Sequence, residues 1–325
     1  MLENKLSELY QKIVSKVNDI IPVKWNNVIL GANIDDYDNG VVYFFFDTLE
    51  NKGSYIYNAN ISDIFNIDDN IYTNEHNELF FLVRDLQKVF IEYGQELWYM
   101  LIMNFNYKGN LEVSYEYIDW YEGGFDSGAI VNFFKAKYLG VKFESKSVLE
   151  EIERMKEYAD DLEKFENTKH MLVEKVILEI KKYLGDIEYE KIVFDGVLIN
   201  GVEGINFYIT LKETDNKYFS FNEVVKMKNS TDEEVVILKE ALYDIIDELR
   251  NLYVNNDREE WFSIMISDES EIGVDWEFTY SNWYQLKYNT EDINNYFKYV
   301  YLDIQPQDNE KKELILKMKK HEDET

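Results

Sequence analysis

Apolar residues at the start of the chain recur at steps of three and four positions, which is the spacing of one face of an amphipathic helix. They are Leu2, Leu6, Leu9, Ile13, Val17 and Ile20. Pro22 predicts the end of this helix, because proline cannot continue the hydrogen-bond ladder. The same spacing predicts a second helix through Leu79, Leu82, Leu86 and Val89, and a third through Ile130, Phe133, Phe134, Tyr138 and Leu139.

Short runs of apolar, β-branched and aromatic residues between these helices predict strands. Three follow the first helix, at Val28–Leu30, Val41–Phe46 and Tyr55–Tyr57, and two follow the second, at Leu97–Phe105 and 111–117. The last strand alternates apolar and polar positions, which is typical of a strand with one buried face. Asn39-Gly40, just before the second strand, is a hairpin signal.

The second half of the chain repeats this pattern. The first helix recurs 164 residues later, where Ile177 stands opposite Ile13, and the second strand recurs at the same offset, with 205–208 opposite 41–44. The second and third helices recur after 163 residues, and the final strand recurs after 161, with 274–278 opposite 113–117. Matches that keep one order along the chain indicate a tandem duplication.

Each copy therefore reads helix, three strands, helix, two strands and helix. This order predicts an α+β fold in which an antiparallel sheet has its helices packed to one side. We expect a first domain at residues 1–145, a connecting helix at 146–166, a second domain at 167–307 and a charged, fraying tail at 308–325. The connecting helix rests on the spacing of Val148, Ile152, Met155, Ala159 and Leu162. Asn167-Thr168 is a candidate cap for the helix that follows.

The charge of the chain narrows its choice of partners. Its net charge is −30, with −11 in residues 1–150 and −19 in residues 151–325, so the acid is not confined to one tail. Such a field repels nucleic acid and anionic membranes, and it attracts basic proteins. A hydrophobic fraction of 46% provides enough material for folded cores, which argues against a disordered acidic chain.

Other features of the sequence favour a cytoplasmic protein without a cofactor. The chain has no cysteine, so a disulfide framework and a thiolate metal site are excluded. The N-terminus lacks the basic and apolar regions of a secretion signal, and no apolar run approaches the roughly 18 residues that a membrane span needs. The sequence leaves the oligomeric state open.

The residue types needed for catalysis or metal binding do not form a recognisable set. His76, His170 and His321 do not recur between the copies, and we expect ordinary surface histidines. Residues 35–40 suggest a calcium loop only superficially, because Tyr37 and Phe46 occupy positions where such a loop requires oxygen ligands. The acids at 68–69 and 232–234 precede predicted helices, where carboxylates favour the positive end of the helix dipole.

Acidic and aromatic residues near the final strand of each copy are the candidates for binding a partner. Glu116 and Glu277 stand at matching places in the 161-residue alignment, which allows three readings: a solvated sheet face, a partner-facing acidic sheet, or paired catalytic carboxylates. Aromatic residues mixed with acids resemble an interface core with an acidic rim, although ordinary core packing explains them equally well. The predicted partner-binding residues are Asp35, Asp36, Asp38, Glu116, Asp119, Trp120, Glu122, Asp275, Glu277 and Trp283.

Four segments of the first copy resemble the YezG-like immunity proteins of Gram-positive bacteria. They are residues 9–13 leading into 18–25, the strand at 42–46, Glu96-Leu97-Trp98, and the strand at 113–117. The resemblance covers most of residues 1–140 and extends more weakly to 168–305. The second copy departs from it, since it has no proline opposite Pro22 and has Tyr189 in place of Trp25.

The resemblance implies an antitoxin. Members of this family bind polymorphic toxins of the type VII secretion route, often nucleases, and the partner is then a cognate toxin with a basic surface. The main alternative is an acidic interaction module or chaperone that holds a basic client without inhibiting it. An enzyme that uses Glu116 and Glu277, and an acidic mimic of nucleic acid that binds many basic proteins, are further alternatives.

Overall fold

The computed structural model describes residues 2–35, 39–199, 202–212, 217–269, 272–306 and 308–324. The chain forms two compact units, Met1–Asp161 and Leu162–Thr325. Each unit contains a five-stranded antiparallel sheet with helices packed on it, which confirms the α+β prediction.

The first unit follows the predicted order of elements, with one short helix added. In chain order they are α1 (Leu2–Ile20), β1 (Trp25–Ile34), β2 (Gly40–Thr48), β3 (Ile56–Tyr57), a 3-10 turn (Asn58–Asn60), α2 (Ile61–Phe65), α3 (Asp69–Glu92), β4 (Met100–Asn106), β5 (Leu111–Glu116), α4 (Ser127–Leu139) and the first part of α5 (Lys146–Leu184). The sheet order is β3-β2-β1-β4-β5.

The second unit repeats this order, beginning with the second part of α5. Its elements are β6 (Tyr189–Ile199), β7 (Val202–Leu211), β8 (Tyr218–Ser220), α6 (Phe221–Lys228), α7 (Asp232–Asn255), β9 (Ser263–Glu269), β10 (Gly273–Thr279), α8 (Thr290–Tyr301) and α9 (Asn309–Glu324). The sheet order is β10-β9-β6-β7-β8, the counterpart of the first sheet.

Helices cover both faces of each sheet, whereas the sequence predicts helices on one side only. In the first unit α1 and α3 pack on the face that contains Leu30 and Phe44. Helix α4 and the start of α5 pack on the opposite face, against Tyr43 and Phe45. Because both faces are buried, β2 is a continuous apolar run rather than an alternating one.

The strand register fixes how the two copies correspond. Both first strands carry the same irregularity, between Trp25 and Asn27 and between Tyr189 and Lys191, at an offset of 164. From the second strand onward the ladders give a constant offset of 163, because the hairpin between the first two strands is one residue shorter in the second copy. The predicted offsets of 164 for the second strand and 161 for the final strand are therefore wrong.

The predicted connecting helix and fraying tail are the same structural element in the two copies. In the first unit, Ile152 and Met155 at the start of α5 are buried in the core formed with α4. The residues 163 positions later have the composition of a charged tail. Their apolar members, Ile315 and Met318 of α9, are nevertheless buried in the core formed with α8. Residues 308–324 are thus an ordered part of the second unit.

Helix ends follow the sequence signals in most places. The Asp68 carboxylate accepts hydrogen bonds from the N–H groups of Asn70 and Ile71, and it caps α3 as the acids at 68–69 suggest. Thr231 and Glu234 form a capping box at α7. The predicted cap at Asn167-Thr168 is wrong, because α5 continues through both residues and the Thr168 hydroxyl donates to the Lys164 carbonyl one turn earlier.

The two copies differ at the centre of the sheet, where Gly31 in β1 corresponds to Asp195 in β6. A Cβ at Gly31 would lie 2.4 Å from the Tyr43 ring, so only glycine fits. In β7 the counterpart of Tyr43 is the smaller Asn206, which leaves room for a carboxyl. Asp195 is 6% exposed. Burial raises its pKa to about 7.

Met318→Ala is expected to lower the free energy of unfolding of the second unit by about 2–5 kcal/mol, because it removes a buried side chain and leaves a cavity. Leu316→Ala on the same helix is the matched control, since Leu316 is 46% exposed and its loss should change stability by less than about 0.5 kcal/mol. Hydrogen exchange of the second unit measures both effects. Equal protection in the two variants would show that α9 does not contribute to the core.

Asp195→Asn is expected to stabilise the second unit more at pH 8 than at pH 5. The folded-state pKa of about 7 lies above the usual 3.8, so the carboxyl lowers the stability progressively as the pH rises from about 4 to about 7, and the full loss is present at pH 8. The gain at pH 8 should be at most roughly 4 kcal/mol. Urea unfolding at both pH values tests this, with the exposed Asp275→Asn as control. A gain that is the same at both pH values would contradict the assignment.

Candidate functional site

One end of the first sheet gathers several of the predicted acidic residues. Strand β1 ends in the hairpin loop that begins at Asp35, and β5 ends in the segment 117–126 that leads into α4. Because β1 and β5 are both antiparallel to β4, these two segments lie at the same end of the sheet. The hairpin is present as predicted, with Ile34 paired to Gly40.

Two aspartates shape the segment between β5 and α4. The Asp119 carboxylate accepts hydrogen bonds from the N–H groups of Tyr121 and Glu122, at 2.8 and 3.1 Å. The Asp126 carboxylate accepts one from the Ala129 N–H at 2.8 Å and caps α4. Both contacts leave the charge of the carboxylate uncompensated, since neither residue makes an ion pair within the described part of the chain.

Tyr121 lies at the centre of this acidic group. Its hydroxyl is 3.1 Å from the Ser127 hydroxyl. Burial raises the pKa of Tyr121, and the neighbouring carboxylates of Asp35, Asp119 and Asp126 raise it further. The exposed Glu122 extends the group. We call Asp35, Asp119, Tyr121, Glu122 and Asp126 the Tyr121 acidic surface.

The second copy builds the same turn with amides at three of these positions, and its own carboxylates, Glu291 and Asp292, lie in the first turn of α8 instead. At an offset of 163, amides replace the three carboxylates that follow β5: Asn282, Gln285 and Asn289 stand where the first copy has Asp119, Glu122 and Asp126. Asn282 Oδ1 accepts from the Gln285 N–H at 3.2 Å, and Asn289 Oδ1 accepts from the Glu291 N–H at 2.8 Å. The Tyr284 hydroxyl is 3.3 Å from the Thr290 hydroxyl, as Tyr121 is near Ser127.

This comparison separates the structural role of these side chains from their charge. A carboxylate and an amide of the same length accept the same backbone hydrogen bonds, and both are good helix caps. The turn therefore folds with either. The negative charges of the first copy are not needed for this geometry, and they remain available to a partner.

Glu116 and Glu277 do not occupy equivalent positions. The ladders pair Glu116 with Met100 and Thr279 with Ser263, so Thr279 is the counterpart of Glu116, and the premise of a repeated carboxylate pair is wrong. Glu116 forms an ion pair with Lys137 at 2.5 Å and also accepts a hydrogen bond from the Tyr138 hydroxyl. It therefore ties β5 to α4.

Asp275 and Glu277 lie on β10, apart from the turn that corresponds to the Tyr121 acidic surface. Asp275 is exposed and accepts a hydrogen bond from the Trp276 N–H at 2.9 Å. The Glu277 carboxyl is partly withdrawn from water, which raises its pKa, and the nearby Glu322 raises it further.

The two predicted tryptophans belong to the core. Trp120 and Trp283 are each 1% exposed, so the prediction that they contact a partner is wrong for this structure. They are equivalent at an offset of 163, and each packs against a side chain of the second helix after it: Trp120 against Tyr158 of α5, and Trp283 against His321 of α9. Asp36 and Asp38 lie outside the described residues.

The histidines have structural contacts rather than a shared site. His76 is half-buried, lies 2.9 Å from the Val42 carbonyl, and has its pKa lowered by burial, so it is not the surface histidine predicted. His170 lies 3.2 Å from Glu174. Among the described residues, no group of histidine and acidic side chains could hold a metal ion, and no helix is long and apolar enough to cross a membrane.

Two copies of one α+β unit, each with its sheet enclosed by helices, define a tandem-repeat protein. The profile of the family described as "Immunity protein YezG-like" matches residues 6–153 and again residues 166–316. The chain therefore belongs to the YezG-like immunity protein family and contains two copies of its domain, which confirms the resemblance in the sequence.

Curated relatives match this chain over about one copy. The "Type VII secretion system protein EsaG" of Staphylococcus aureus (strain NCTC 8325 / PS 47) is 30% identical over 161 residues, which is 50% of this chain and 98% of that protein. The "Immunity protein YezG" of Bacillus spizizenii is 33% identical over 115 residues, 35% of this chain and 70% of that protein. The "Immunity protein YezG" of Bacillus subtilis (strain 168) is 29% identical over 136 residues, which is 42% of this chain and 89% of that protein.

Of the residues in the Tyr121 acidic surface, sequence reasoning selected Asp35, Asp119 and Glu122 and did not select Tyr121 or Asp126. The signal for Asp126 was present, since an aspartate directly before a helix is a common cap. The constant offset of 163 would also have shown that amides replace the acids in the second copy.

The triple variant Asp119→Asn, Glu122→Gln, Asp126→Asn is expected to change the free energy of unfolding by less than about 1 kcal/mol, because the amides keep the hydrogen bonds. Asp126→Ala, which removes the cap of α4, should cost about 1 kcal/mol. Urea unfolding compares the two variants. A larger loss in the amide variant would show that the charge itself holds the turn.

Proposed function

We propose that this protein is an immunity protein that neutralises a toxin of a type VII secretion system by binding it stoichiometrically through the Tyr121 acidic surface of the first unit. Membership of the YezG-like family supports the immunity role. The name of the staphylococcal relative supports the link to type VII secretion. The proposal concerns binding and assigns no catalytic step to the chain.

The observation that carries the choice of surface is the replacement of acids by amides between the copies. Asp119, Glu122 and Asp126 have uncharged counterparts that make equivalent backbone contacts where the structure shows them. Charge at these three positions is therefore not required for the turn, and recognition of a cationic group is the simplest use for it in the first copy. We assign toxin binding to the first unit on this basis.

A nuclease domain is the toxin class that best fits an acidic inhibitor. Nucleic-acid-binding surfaces are rich in lysine and arginine because they neutralise phosphates. A chain with a net charge of −30 attracts such a surface over long range and speeds the encounter. The Tyr121 acidic surface then supplies fixed carboxylates beside a partly buried aromatic ring, a combination suited to a basic groove.

Co-expression with the C-terminal domain of a candidate toxin, taken from a secreted-toxin gene found next to this gene, tests the proposal. The natural 325-residue chain should restore growth and co-purify with the toxin as a one-to-one complex. The triple variant Asp119→Asn, Glu122→Gln, Asp126→Asn should keep its fold and weaken binding by at least about tenfold, since each lost charge contact contributes about 0.5–1 kcal/mol or more.

A charge-matched variant separates the surface from the overall field. Glu157→Gln, Asp160→Asn and Glu163→Gln remove the same three charges from exposed positions of α5, and binding should change by less than about threefold. Equal loss in both variants would show that net charge alone binds the toxin. A complex without rescue of growth would favour the chaperone alternative. The absence of both a complex and rescue would overturn the immunity role.

A further inference from the structure

The end of the first sheet opposite the Tyr121 acidic surface is built from three converging segments. They are residues 21–27 before and within β1, residues 47–55 after β2, and residues 104–110 between β4 and β5. The Leu49 N–H donates to the Lys24 carbonyl at 3.5 Å, and the Tyr107 N–H donates to the Asn26 carbonyl at 3.1 Å. These bonds join the three segments into one surface.

Asp47 fixes the middle of this surface. It is 2% exposed. Its carboxylate accepts hydrogen bonds from the Asn26 amide at 3.1 Å, from the Asn27 N–H at 2.8 Å and from the Gly53 N–H at 2.6 Å. The carboxylate is therefore fully engaged with the backbone and an amide, and it holds the loop that carries Lys52.

Three lysines surround Tyr107 on the outside of this surface. Lys24, Lys52 and Lys108 are exposed, and none of them makes an ion pair with any residue that the structure describes. Lys16 of the same unit, by contrast, pairs with Glu75 and Glu78. The Lys108 ammonium lies 5.8 Å from the centre of the Tyr107 ring, and the three lysines lie beside this one tyrosine in a chain with 64 acidic and 34 basic residues. We call Lys24, Lys52, Tyr107 and Lys108 the Tyr107 basic surface.

Tyr107 stands between two shallow clefts. One has a volume of about 450 Å³ and contains Lys52, Lys108 and a group of asparagines. The other, of about 490 Å³, contains Lys24 and Trp25. Tyr107 is 51% exposed. The Asn106 side chain accepts from the N–H groups of Lys108 and Asn110, at 3.0 and 3.3 Å, which fixes the turn that presents Lys108.

The second copy lacks this basic group. Glu188 stands where the first copy has Lys24, and it lies 3.6 Å from Lys212. Lys191 and Glu269 replace Asn27 and Asn106, and they form an ion pair with each other. The basic group around Tyr107 is therefore a feature of the first unit, as is the set of three carboxylates at Asp119, Glu122 and Asp126.

We propose that the Tyr107 basic surface receives an acidic segment of the same toxin, so that the first unit holds its partner at both ends of one sheet with opposite charges. The inference rests on the proposed function. An exposed aromatic ring among cations is typical of a protein interface, and open clefts suit a protein segment. The net charge of −30 opposes a nucleic acid there. The ten residues of β1 place the two surfaces roughly 30 Å apart.

The test uses the purified 325-residue chain and the toxin domain that the co-expression experiment identifies as its partner. The variant Lys24→Glu, Lys52→Glu, Lys108→Glu should raise the Kd at least about tenfold, because it turns attraction into repulsion. The control Lys142→Glu, Lys164→Glu, Lys312→Glu makes the same change in net charge at exposed positions elsewhere. A more negative chain attracts a basic toxin at least as strongly, so the control should bind with an unchanged or lower Kd.

The surface variant is expected to raise the Kd and the control variant is not, so the possible results can be told apart. Equal or tighter binding by both variants would overturn the inference and leave the proposed function standing. Absence of binding by the natural chain would overturn the proposed function, and the inference with it. A second copy of this chain is the other molecule that could occupy the surface, and sedimentation of the chain alone tests for it. If the natural chain self-associates and the Lys24→Glu, Lys52→Glu, Lys108→Glu variant does not, the surface binds a second copy and the inference is wrong. Circular dichroism confirms that each variant is folded.

Discussion

The burial of both faces of each sheet is the constraint on which the rest of this structure depends. A strand such as β2, with Phe44 on one face and Phe45 on the other, is stable only if helices cover both sides. The helix that follows α4 is therefore required, and so is its counterpart α9. With both faces of the first sheet occupied by helices, its two ends remain for recognition, and there the loops carry the charged side chains.

Duplication within one chain provides an internal comparison of structure with charge. The turn after the fifth strand has the same form in both copies, although Asp119 and Asp126 are acids and Asn282 and Asn289 are amides. At the centre of the sheet the acid is in the second copy instead, where Asp195 replaces Gly31. This carboxyl is buried and is not exposed to a partner. The first kind of difference keeps the form of the turn and is the one that we connect with binding. The second kind should make stability depend on pH.

The sequence predicted the main helices and strands and the duplication, and it failed where its signals have no power to discriminate. An offset of 161 instead of 163 for the final strand differs by two residues, and an alternating strand looks the same after a shift of two. Glu116 was matched to Glu277 for this reason. The offset of 164 for the second strand failed because a strand buried on both faces has no alternation. Helix α9 has few apolar residues, so its composition resembled a tail, although Met318 is fully buried.

Charges of both signs on one unit bear on how an acidic immunity protein would select its toxin. A uniformly acidic surface attracts any basic protein, including many that the cell needs, and specificity then requires something that weakens binding to the wrong partners. Lys24, Lys52 and Lys108 would have this effect under the proposed binding mode, because lysines repel a partner whose corresponding surface is basic throughout. A toxin with an acidic segment at the proposed spacing would instead be attracted at both ends of the sheet. The three lysines would thus reduce the general affinity for cations and favour one orientation of one partner.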